Sequence, residues 1–404
     1  MHSMLQSSIE WKPEFDFKVP VDNWMAPQKD TYFFCDLHAD AEAFLRSLKL
    51  SGLVAETSSL ESVKFTANGH NGKIVIGGDC FDKGPSNLAL FRLIGALKAS
   101  GLDLVLLAGN HDIRIYAGLL AMNFMDDVRQ CHFFVRMGRK TAKLFAEIFQ
   151  QYCQGESILE KSDEQIEAEL FPTQDWFEHF PEYASGFMTE KKIRKEIKQI
   201  RKKRDDFMQA CQEYGLSLQQ VYLAARKAKS LFVDKQGEFS WFFNELDLMH
   251  VSGSYVFSHA GLDDRMACRL VNEGSEALNV EFRQQLSQGR IFQMYYSEFG
   301  NVFRTKYREN DWPLTEAGTQ CLRDHHLFAI VNGHRSHEAG QQLFVRYGML
   351  NFECDTQLNA NCRQKANMPV PGEAVTIFSS DGLVSGLSGD FPAIKRFHPN
   401  QLKS

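Results

Sequence analysis

The sequence predicts an α/β sandwich flanked by helices, with a helical hairpin inserted into it. Three observations support this fold class: short apolar runs end in polar, chemically reactive side chains, a helix separates two of those runs, and a long stretch near the middle of the chain is rich in Lys, Glu, Gln and Ala. Strands and helices that alternate in this way are typical of sheets covered by helices.

The apolar runs are only a few residues long, and Gly, Asp or His bound them. This pattern is typical of buried strands whose C-terminal ends open into loops. The runs that precede reactive side chains are residues 31–35, 73–76, 104–107, 255–257 and 327–331. Three further strand-like runs, separated by turn-forming glycines, are residues 343–347, 350–353 and 375–378.

A helix is predicted between the second and third of these runs. Ser86 is a suitable N-cap, and Gly101 suits the C-terminal stop. The residues that form its apolar stripe are Leu90, Leu93, Ile94 and Leu97. Strand, helix and strand make a βαβ unit, and ligands in such sheets gather outside the carboxyl ends of the strands. We therefore expect a site at that edge.

Three regions follow from the composition along the chain. Residues 1–30 contain three prolines and are predicted to be an extended lead-in, and residues 31–404 are predicted to form the main domain. Residues 131–243 form a helical insertion within it. Between residues 191 and 204, nine of fourteen residues are Lys or Arg, with Ile193, Ile197 and Ile200 at helical spacing. This basic helix is either a solvated face or a docking surface for an acidic protein or membrane partner.

Charge and cysteine content exclude several classes of protein. The formal net charge of −6 leaves no overall footprint for specific nucleic-acid binding. No apolar run approaches the roughly 18–20 residues that span a bilayer, and the N-terminus lacks the pattern of a signal peptide. Nine scattered cysteines without a CxxC pair are expected to be free thiols of a reducing compartment. We expect a cytoplasmic protein, with secretion as an effector left open.

Side chains with metal-binding chemistry follow five of the predicted strands. They are, in chain order, Asp36 and His38, then Asp79, then Asn110, then His259, then His334. Alternation along an extended segment places Asp36 and His38 on one side, where a carboxylate and an imidazole can chelate one divalent ion. Each signal is weak alone, but five in this order, all at strand ends, predict a metal centre.

The order D-x-H, G-D-x-x-D, G-N-H-D, H-A-G and G-H resembles the phosphoprotein-phosphatase branch of the calcineurin-like metallophosphoesterases, over residues 31–112 and 254–358. The resemblance implies a β-sandwich with two metal ions. The first ion would be bound by Asp36, His38 and Asp79, and the second by Asp79, Asn110, His259 and His334. His111 would be the general acid, oriented by Asp82. The long insertion is also similar to that of bacterial phosphatases that act on phosphotyrosine, including some secreted effectors.

The sequence departs from the family's pattern at the residues that would bind phosphate. Lys83 stands where these phosphatases usually carry an Arg, so the charge is kept but the bidentate fork is lost. Asp112 replaces the usual Glu, and Ala39 replaces a Gly. A second phosphate-binding Arg has no clear counterpart, and the candidates are Arg114, Arg304 and Arg335. We expect Lys83 and Arg114 to bind the substrate phosphate.

The resemblance implies a metal-dependent phosphoprotein phosphatase that hydrolyses phosphotyrosine, phosphoserine or phosphothreonine with a hydroxide activated by two metals. The donor types suit Mn, Fe or Zn, and Mn is expected. The alternative on the same site is a hydrolase of small phosphoesters or of dinucleoside polyphosphates. A binding protein on an inactive phosphatase fold is disfavoured, because all six ligand positions are filled. The ligands lie outside the insertion, so the chemistry is not expected to need the hairpin.

Overall fold

The computed structural model describes residues 7–13, 23–122, 128–155 and 161–402. Its strands, in chain order, are β1 (Ser8–Glu10), β2 (Thr31–Phe34), β3 (Lys73–Ile76), β4 (Asp103–Leu107), β5 (Leu246–Asp247), β6 (Met249–Ser252), β7 (Tyr255–Ser258), β8 (Ala329–Ser336), β9 (Gln342–Arg346), β10 (Met349–Asp355), β11 (Ala374–Phe378), β12 (Val384–Ser388) and β13 (Ile394–Phe397). They form two sheets, with the strand orders β1-β13-β12-β11-β2-β3-β4-β5 and β6-β7-β8-β10-β9.

The two sheets face each other across an aromatic core, as in a sandwich. Phe33 on β2 meets Phe257 on β7 with their ring centroids 5.7 Å apart. Tyr255 on β7 and Phe378 on β11 make an edge-to-face contact at 4.9 Å. All four side chains are almost completely buried. Burial of large aromatic rings between the inner faces of the sheets stabilises this layer strongly.

Parallel pairing brings the ends of the site-bearing strands to one edge. Strands β2, β3 and β4 are parallel, and the last residue of β2 is in register with the last residue of β3. In the second sheet β7 and β8 are also parallel. The loops that follow these strands therefore meet where the two sheets open.

Helices cover the outer faces of the sheets. They are α1 (Ala41–Leu50), α2 (Ala67–Asn71), α3 (Asn87–Ala99), α4 (Asn110–Leu120), α5 (Phe133–Met137), α6 (Ala142–Tyr152), α7 (Asp163–Leu170), α8 (Gln174–Ala184), α9 (Glu190–Glu213), α10 (Leu218–Phe232), α11 (Ser240–Asn244), α12 (Asp264–Glu273), α13 (Ser275–Ser287), α14 (Ile291–Tyr295), α15 (Glu298–Val302), α16 (Glu316–Asp324) and α17 (Ala360–Lys365). Ser86 caps α3 by accepting a hydrogen bond from the backbone N–H of Ala89, as predicted. The α/β sandwich class is confirmed.

The two helices predicted to form the inserted hairpin are present as α9 and α10, but α10 packs chiefly against α6 and belongs to the main core. The α10 residues that are completely buried include Val221, Ala224, Ala225, Ala228 and Phe232. Phe232 contacts Phe81, at 5.1 Å between ring centroids, and Phe91, at 5.0 Å. Phe81 lies in the loop that follows β3. Helix α10 therefore packs against the loop that follows β3, on the side away from the site. The sequence did not indicate this contact.

The structure also adds strands that the sequence analysis missed: β1, β5, β6, β12 and β13. Strand β1 lies in the expected lead-in and pairs with β13, which is distant in sequence. Residues 1–6 and 14–22 of that lead-in, and residues 156–160 of the insertion, lie outside the described residues. The proposed boundaries at residues 30, 131 and 243 stay predictions. Among the described helices, none is long and apolar enough to cross a membrane.

Candidate metal centre

Two groups of possible metal ligands meet at the open edge of the sandwich, and they share Asp79. One group is Asp36, His38 and Asp79, and the other is Asp79, His259 and His334; within each group the ligand atoms lie within 4.8 Å of one another. These are five of the six residues that the sequence predicted. The sixth, Asn110, begins α4 and places its Oδ1 atom 3.3 Å from His259 Nε2.

The two oxygen atoms of Asp79 face different histidines. Its Oδ2 atom lies 3.6 Å from His38 Nε2, and its Oδ1 atom lies 3.4 Å from His259 Nε2. His38 Nε2 is also 3.8 Å from an oxygen atom of Asp36. A carboxylate with one oxygen in each group has the geometry to bridge two ions.

The histidine tautomers suit metal binding. The Nδ1–H groups of His38 and His259 donate to the backbone carbonyls of Phe81 and Gly77, at 3.1 and 2.7 Å, which leaves both Nε2 atoms as acceptors. Burial lowers the pKa of His38 and of His334 well below the usual value, so both rings are neutral, as metal ligands must be. Among the described residues, the buried Nε2 atom of His334 has no hydrogen-bond partner. These residues fit a pair of divalent ions.

Backbone strain is concentrated in the same loops. Positive φ angles at non-glycine residues are costly, on the order of 1–3 kcal/mol each, and they cluster at functional sites. The predicted site residues with positive φ are Asp36, His38, Asp79, Asp82, Lys83 and His334, with values from 44° to 68°. The surrounding structure must hold these residues in strained backbone conformations. This indicates that the positions of their side chains are important for the site.

Close backbone approach explains two of the glycines in the motifs. A Cβ atom on Gly109 would lie 2.0 Å from the backbone nitrogen of Asp79, and one on Gly333 would lie 2.0 Å from Asp36 Oδ2. Gly333 thereby allows the second sheet to approach the first. The backbone N–H of His334 then donates to Asp36 Oδ2 at 2.8 Å. This contact joins the two halves of the site.

Asp112 connects the loops that follow β3 and β4. Its buried carboxylate accepts hydrogen bonds from the backbone N–H groups of Asp79, Cys80 and Gly109 at 2.8, 2.8 and 3.0 Å, and from Phe81 at 3.3 Å. Burial and the neighbouring Asp79 carboxylate raise the pKa of Asp112 to about 7.

His111 and Asp82 form the predicted pair. His111 Nδ1 lies 2.9 Å from Asp82 Oδ2, and the hydroxyl of Thr141 donates to the other oxygen of Asp82 at 3.4 Å. The backbone N–H of His111 donates to Asp79 Oδ1 at 2.8 Å. Burial lowers the pKa of His111, and the carboxylates of Asp79 and Asp82 oppose that effect. His111 therefore presents Nε2 to the cavity, while the contact of its Nδ1 with Asp82 favours the protonated form of the His111 ring.

An open cavity of about 490 Å³ lies over these groups, and most of the predicted phosphate-binding candidates line it. Arg114 and Arg304 face this cavity. Arg335 does not line it: its guanidinium bonds to Glu353 at 2.6 Å and to the carbonyls of Ala260 and Thr305. Arg335 is thus the weakest of the three candidates.

Lys83 lines the cavity, but its ammonium does not point freely into it. Lys83 Nζ lies 2.6 Å from His38 Nε2, the atom that would bind the first ion. A positive charge at this point offsets the carboxylates of Asp36 and Asp79. Binding of phosphate by Lys83 would require the ammonium to leave His38.

Sequence reasoning missed several residues that line the cavity. They are Lys140, Lys306, Arg308, Asp311, Ser336 and Asp355. The sequence analysis gave none of these six residues a role in the site. Lys306 and Arg308 lie in a loop held by Asp311, whose Oδ2 accepts from both of their backbone N–H groups at 2.8 and 3.0 Å. No motif marks this loop. Only the C-D-T sequence around Asp355 gave a signal that could have been followed.

Comparison with known proteins finds similarity between this chain and solved structures only. No family model and no curated protein matches the chain. A cold-active protein tyrosine phosphatase matches with a TM-score of 0.49 and 11% identity, over 94% of this chain and 83% of that chain. A structure of such an enzyme from a psychrophilic Shewanella species gives 0.44 and 12%, over 95% and 86%. A protein serine/threonine phosphatase from Saccharomyces cerevisiae gives 0.38 and 12%, over 92% and 80%.

Proposed function

We propose that this chain is a metal-dependent phosphoprotein phosphatase that hydrolyses phosphomonoesters. The observation that carries the proposal is the pair of ligand groups sharing Asp79, next to the His111–Asp82 pair and below an open cationic cavity. The proposed ligands are Asp36, His38, Asp79, Asn110, His259 and His334. Two divalent ions bound there would supply an acidified water and charge neutralisation, which is the chemistry that phosphoester hydrolysis needs.

The residues of the chain have complementary roles in this proposal. To act as general acid His111 must be the doubly protonated imidazolium, which donates its Nδ1–H to Asp82 at 2.9 Å and holds the Nε2 proton for the departing ester oxygen. The carboxylates of Asp79 and Asp82 favour this charged form, and burial opposes it. General acid catalysis of this kind contributes on the order of 10²–10⁴-fold. Arg114 orients the phosphate, and Lys83 joins it once its ammonium has left His38 Nε2. Arg304 is a third cation in the same cavity. Fixed cations that face the developing charge stabilise a phosphoryl-transfer transition state.

A second candidate is a hydrolase of dinucleoside polyphosphates or other small phosphoesters. The number of cations around the cavity favours it, because Lys140, Lys306 and Arg308 add to the three cations already named. A single phosphate does not need six positive groups. A chain of phosphates, or a phosphoresidue with acidic neighbours, makes fuller use of them.

A substrate panel distinguishes the two candidates. Protein stripped of metal and reloaded with manganese is assayed on phosphotyrosine, phosphoserine and phosphothreonine peptides and on dinucleoside polyphosphates. The proposal predicts that at least one peptide class is hydrolysed with a higher kcat/KM than any dinucleotide. Hydrolysis of dinucleoside polyphosphates alone would replace the first candidate with the second. Absence of turnover on every substrate would refute both.

A further inference from the structure

A second cavity, of about 350 Å³, adjoins the catalytic cavity. Arg304 and Asp311 line both cavities, so the two share a wall. The second cavity lies between helix α9 and the segment from α14 to residue 312. We call it the flanking groove. Its lining residues are Arg136, Phe187, Met188, Lys192, Lys195, Glu196, Gln199, Tyr296, Ser297, Asn301, Arg304, Asn310, Asp311 and Trp312.

One face of the basic helix α9 forms a wall of the flanking groove. Lys192, Lys195 and Gln199 follow one another at spacings of three and four residues, which places them on one side of a helix. All three are exposed, whereas Ile193 and Ile200 are buried against the core. Only part of the basic run therefore faces the groove; Lys198 and Lys202 are exposed elsewhere on the same helix.

The charge in the flanking groove is net positive, because four cations (Arg136, Lys192, Lys195 and Arg304) line it together with two carboxylates (Glu196 and Asp311). Glu196 is already paired with Arg136, at 2.6 Å. Among the residues that the structure describes, no carboxylate lies within ion-pair distance of Lys192 or Lys195. Arg304 uses two nitrogen atoms on the backbone carbonyls of Gly300 and Tyr295, so its position is fixed at the junction with the catalytic cavity. An anionic group in the groove would therefore meet two lysines that form no ion pair with the described residues.

Apolar groups complete the lining. Phe187 is 43% exposed, which is unusual for a ring of this size, and Met188 and Trp312 lie on the same groove. Tyr296, Ser297 and Asn301, which carry hydroxyl and amide groups, also line it. Exposed rings beside hydrogen-bonding groups suit a peptide backbone with mixed side chains better than a small inorganic anion. A recessed groove also suits a peptide better than the flat surface of a bilayer.

We propose that the flanking groove binds acidic residues next to the phosphoresidue of a protein substrate, through Lys192 and Lys195. The inference rests on the proposed phosphatase function, and it adds a specificity determinant outside the metal centre. Continuity through Arg304 and Asp311 places one side of a bound peptide along α9 while its phosphate occupies the catalytic cavity. Charge complementarity then favours Asp and Glu on that side.

The test uses full-length, manganese-loaded protein and a phosphopeptide in which a single Glu is moved along a neutral sequence. The variants are Lys192→Glu/Lys195→Glu and, as a control, Lys198→Glu/Lys202→Glu, which makes the same charge change on the same helix outside the groove. Every peptide rate is divided by the rate on para-nitrophenyl phosphate, which has no flanking residues. Vesicles with phosphatidylserine are sedimented with each protein.

In the wild type and in the control, Glu on one side of the phosphoresidue should raise the relative kcat/KM by about tenfold, roughly one ion pair in a partly screened site. Lys192→Glu/Lys195→Glu should abolish or reverse that preference. An equal loss in both variants, or no preference in the wild type, would overturn the groove but not the phosphatase. Loss of vesicle binding in the groove variant with peptide preference intact would also overturn it. Turnover of para-nitrophenyl phosphate without turnover of any peptide would instead refute the phosphoprotein assignment.

Discussion

Among the individual residues, Lys83 differs most from its expected role. Its ammonium donates to His38 Nε2 at 2.6 Å, so metal binding at this atom must displace a cation that the protein itself supplies. We expect Lys83→Met to bind the first manganese ion about tenfold more tightly, which corresponds to about 1.4 kcal/mol. Calorimetric titration of metal-free protein measures this. Lys140→Met removes a charge from the same cavity without a contact to His38, and an equal gain there would contradict the explanation.

His111 is the residue whose proposed role is easiest to separate from binding. A para-nitrophenolate leaving group hardly needs a proton, whereas an alkoxide does. His111→Ala should therefore slow an alkyl phosphate by on the order of 100-fold or more and slow para-nitrophenyl phosphate much less. Asp82→Asn should affect the two rates in the same way as His111→Ala does, because Asp82 holds the His111 ring through Nδ1. Equal losses on both substrates would remove His111 from the acid role.

Glu353 gives the clearest dependence of stability on pH. Burial alone would raise its pKa, but hydrogen bonds from His337, Arg346 and Arg335 lower the pKa to about 2. A depressed carboxyl pKa stabilises the fold above the unfolded value of about 4.3 and loses that effect as the pH falls toward the folded value.

Glu353→Gln should therefore lower the free energy of unfolding by about 3 kcal/mol at pH 7, and the deficit should be roughly halved near pH 3. Urea denaturation at a series of pH values measures the deficit. Glu338→Gln, at an exposed neighbouring site, is the control and should change little at any pH. A deficit for Glu353→Gln that does not depend on pH would show that packing, and not charge, is lost.

Among the helices, α10 connects the insertion to the metal loops. Phe232 packs on Phe81, and the carbonyl of Phe81 accepts the Nδ1–H of His38. We expect Phe232→Ala to destabilise the protein by about 3–5 kcal/mol, the usual cost of removing a buried ring, and to weaken manganese binding. Tyr214→Ala removes an aromatic ring that is 51% exposed at the end of α9 and should cost less than about 0.5 kcal/mol. Urea denaturation and manganese titration of both variants test this, and unchanged metal affinity in Phe232→Ala would argue against the link.

For the molecule as a whole, the sequence was informative where local chemistry decides the structure. The βαβ unit was predicted because Ser86 and the Leu stripe of α3 act within a few residues. The six proposed ligands were chosen because each follows a predicted strand and because the motifs resemble those of the metallophosphoesterases. The contact between His334 and Asp36 could not be predicted, since it depends on how two sheets pack. The same holds for the four hydrogen bonds of Asp112 and for the cationic loop around Asp311, which no local pattern reveals.

We propose that Asp79 joins two metal sites. A calorimetric titration of chelator-stripped protein with manganese tests this bridging role directly. We expect two ions per chain in the wild type and loss of high affinity at both sites in Asp79→Asn, since the two oxygens of Asp79 face His38 and His259 separately. Phosphatase turnover should return only as the ions bind. Fewer than two sites in the wild type, or full turnover of the stripped protein, would contradict it.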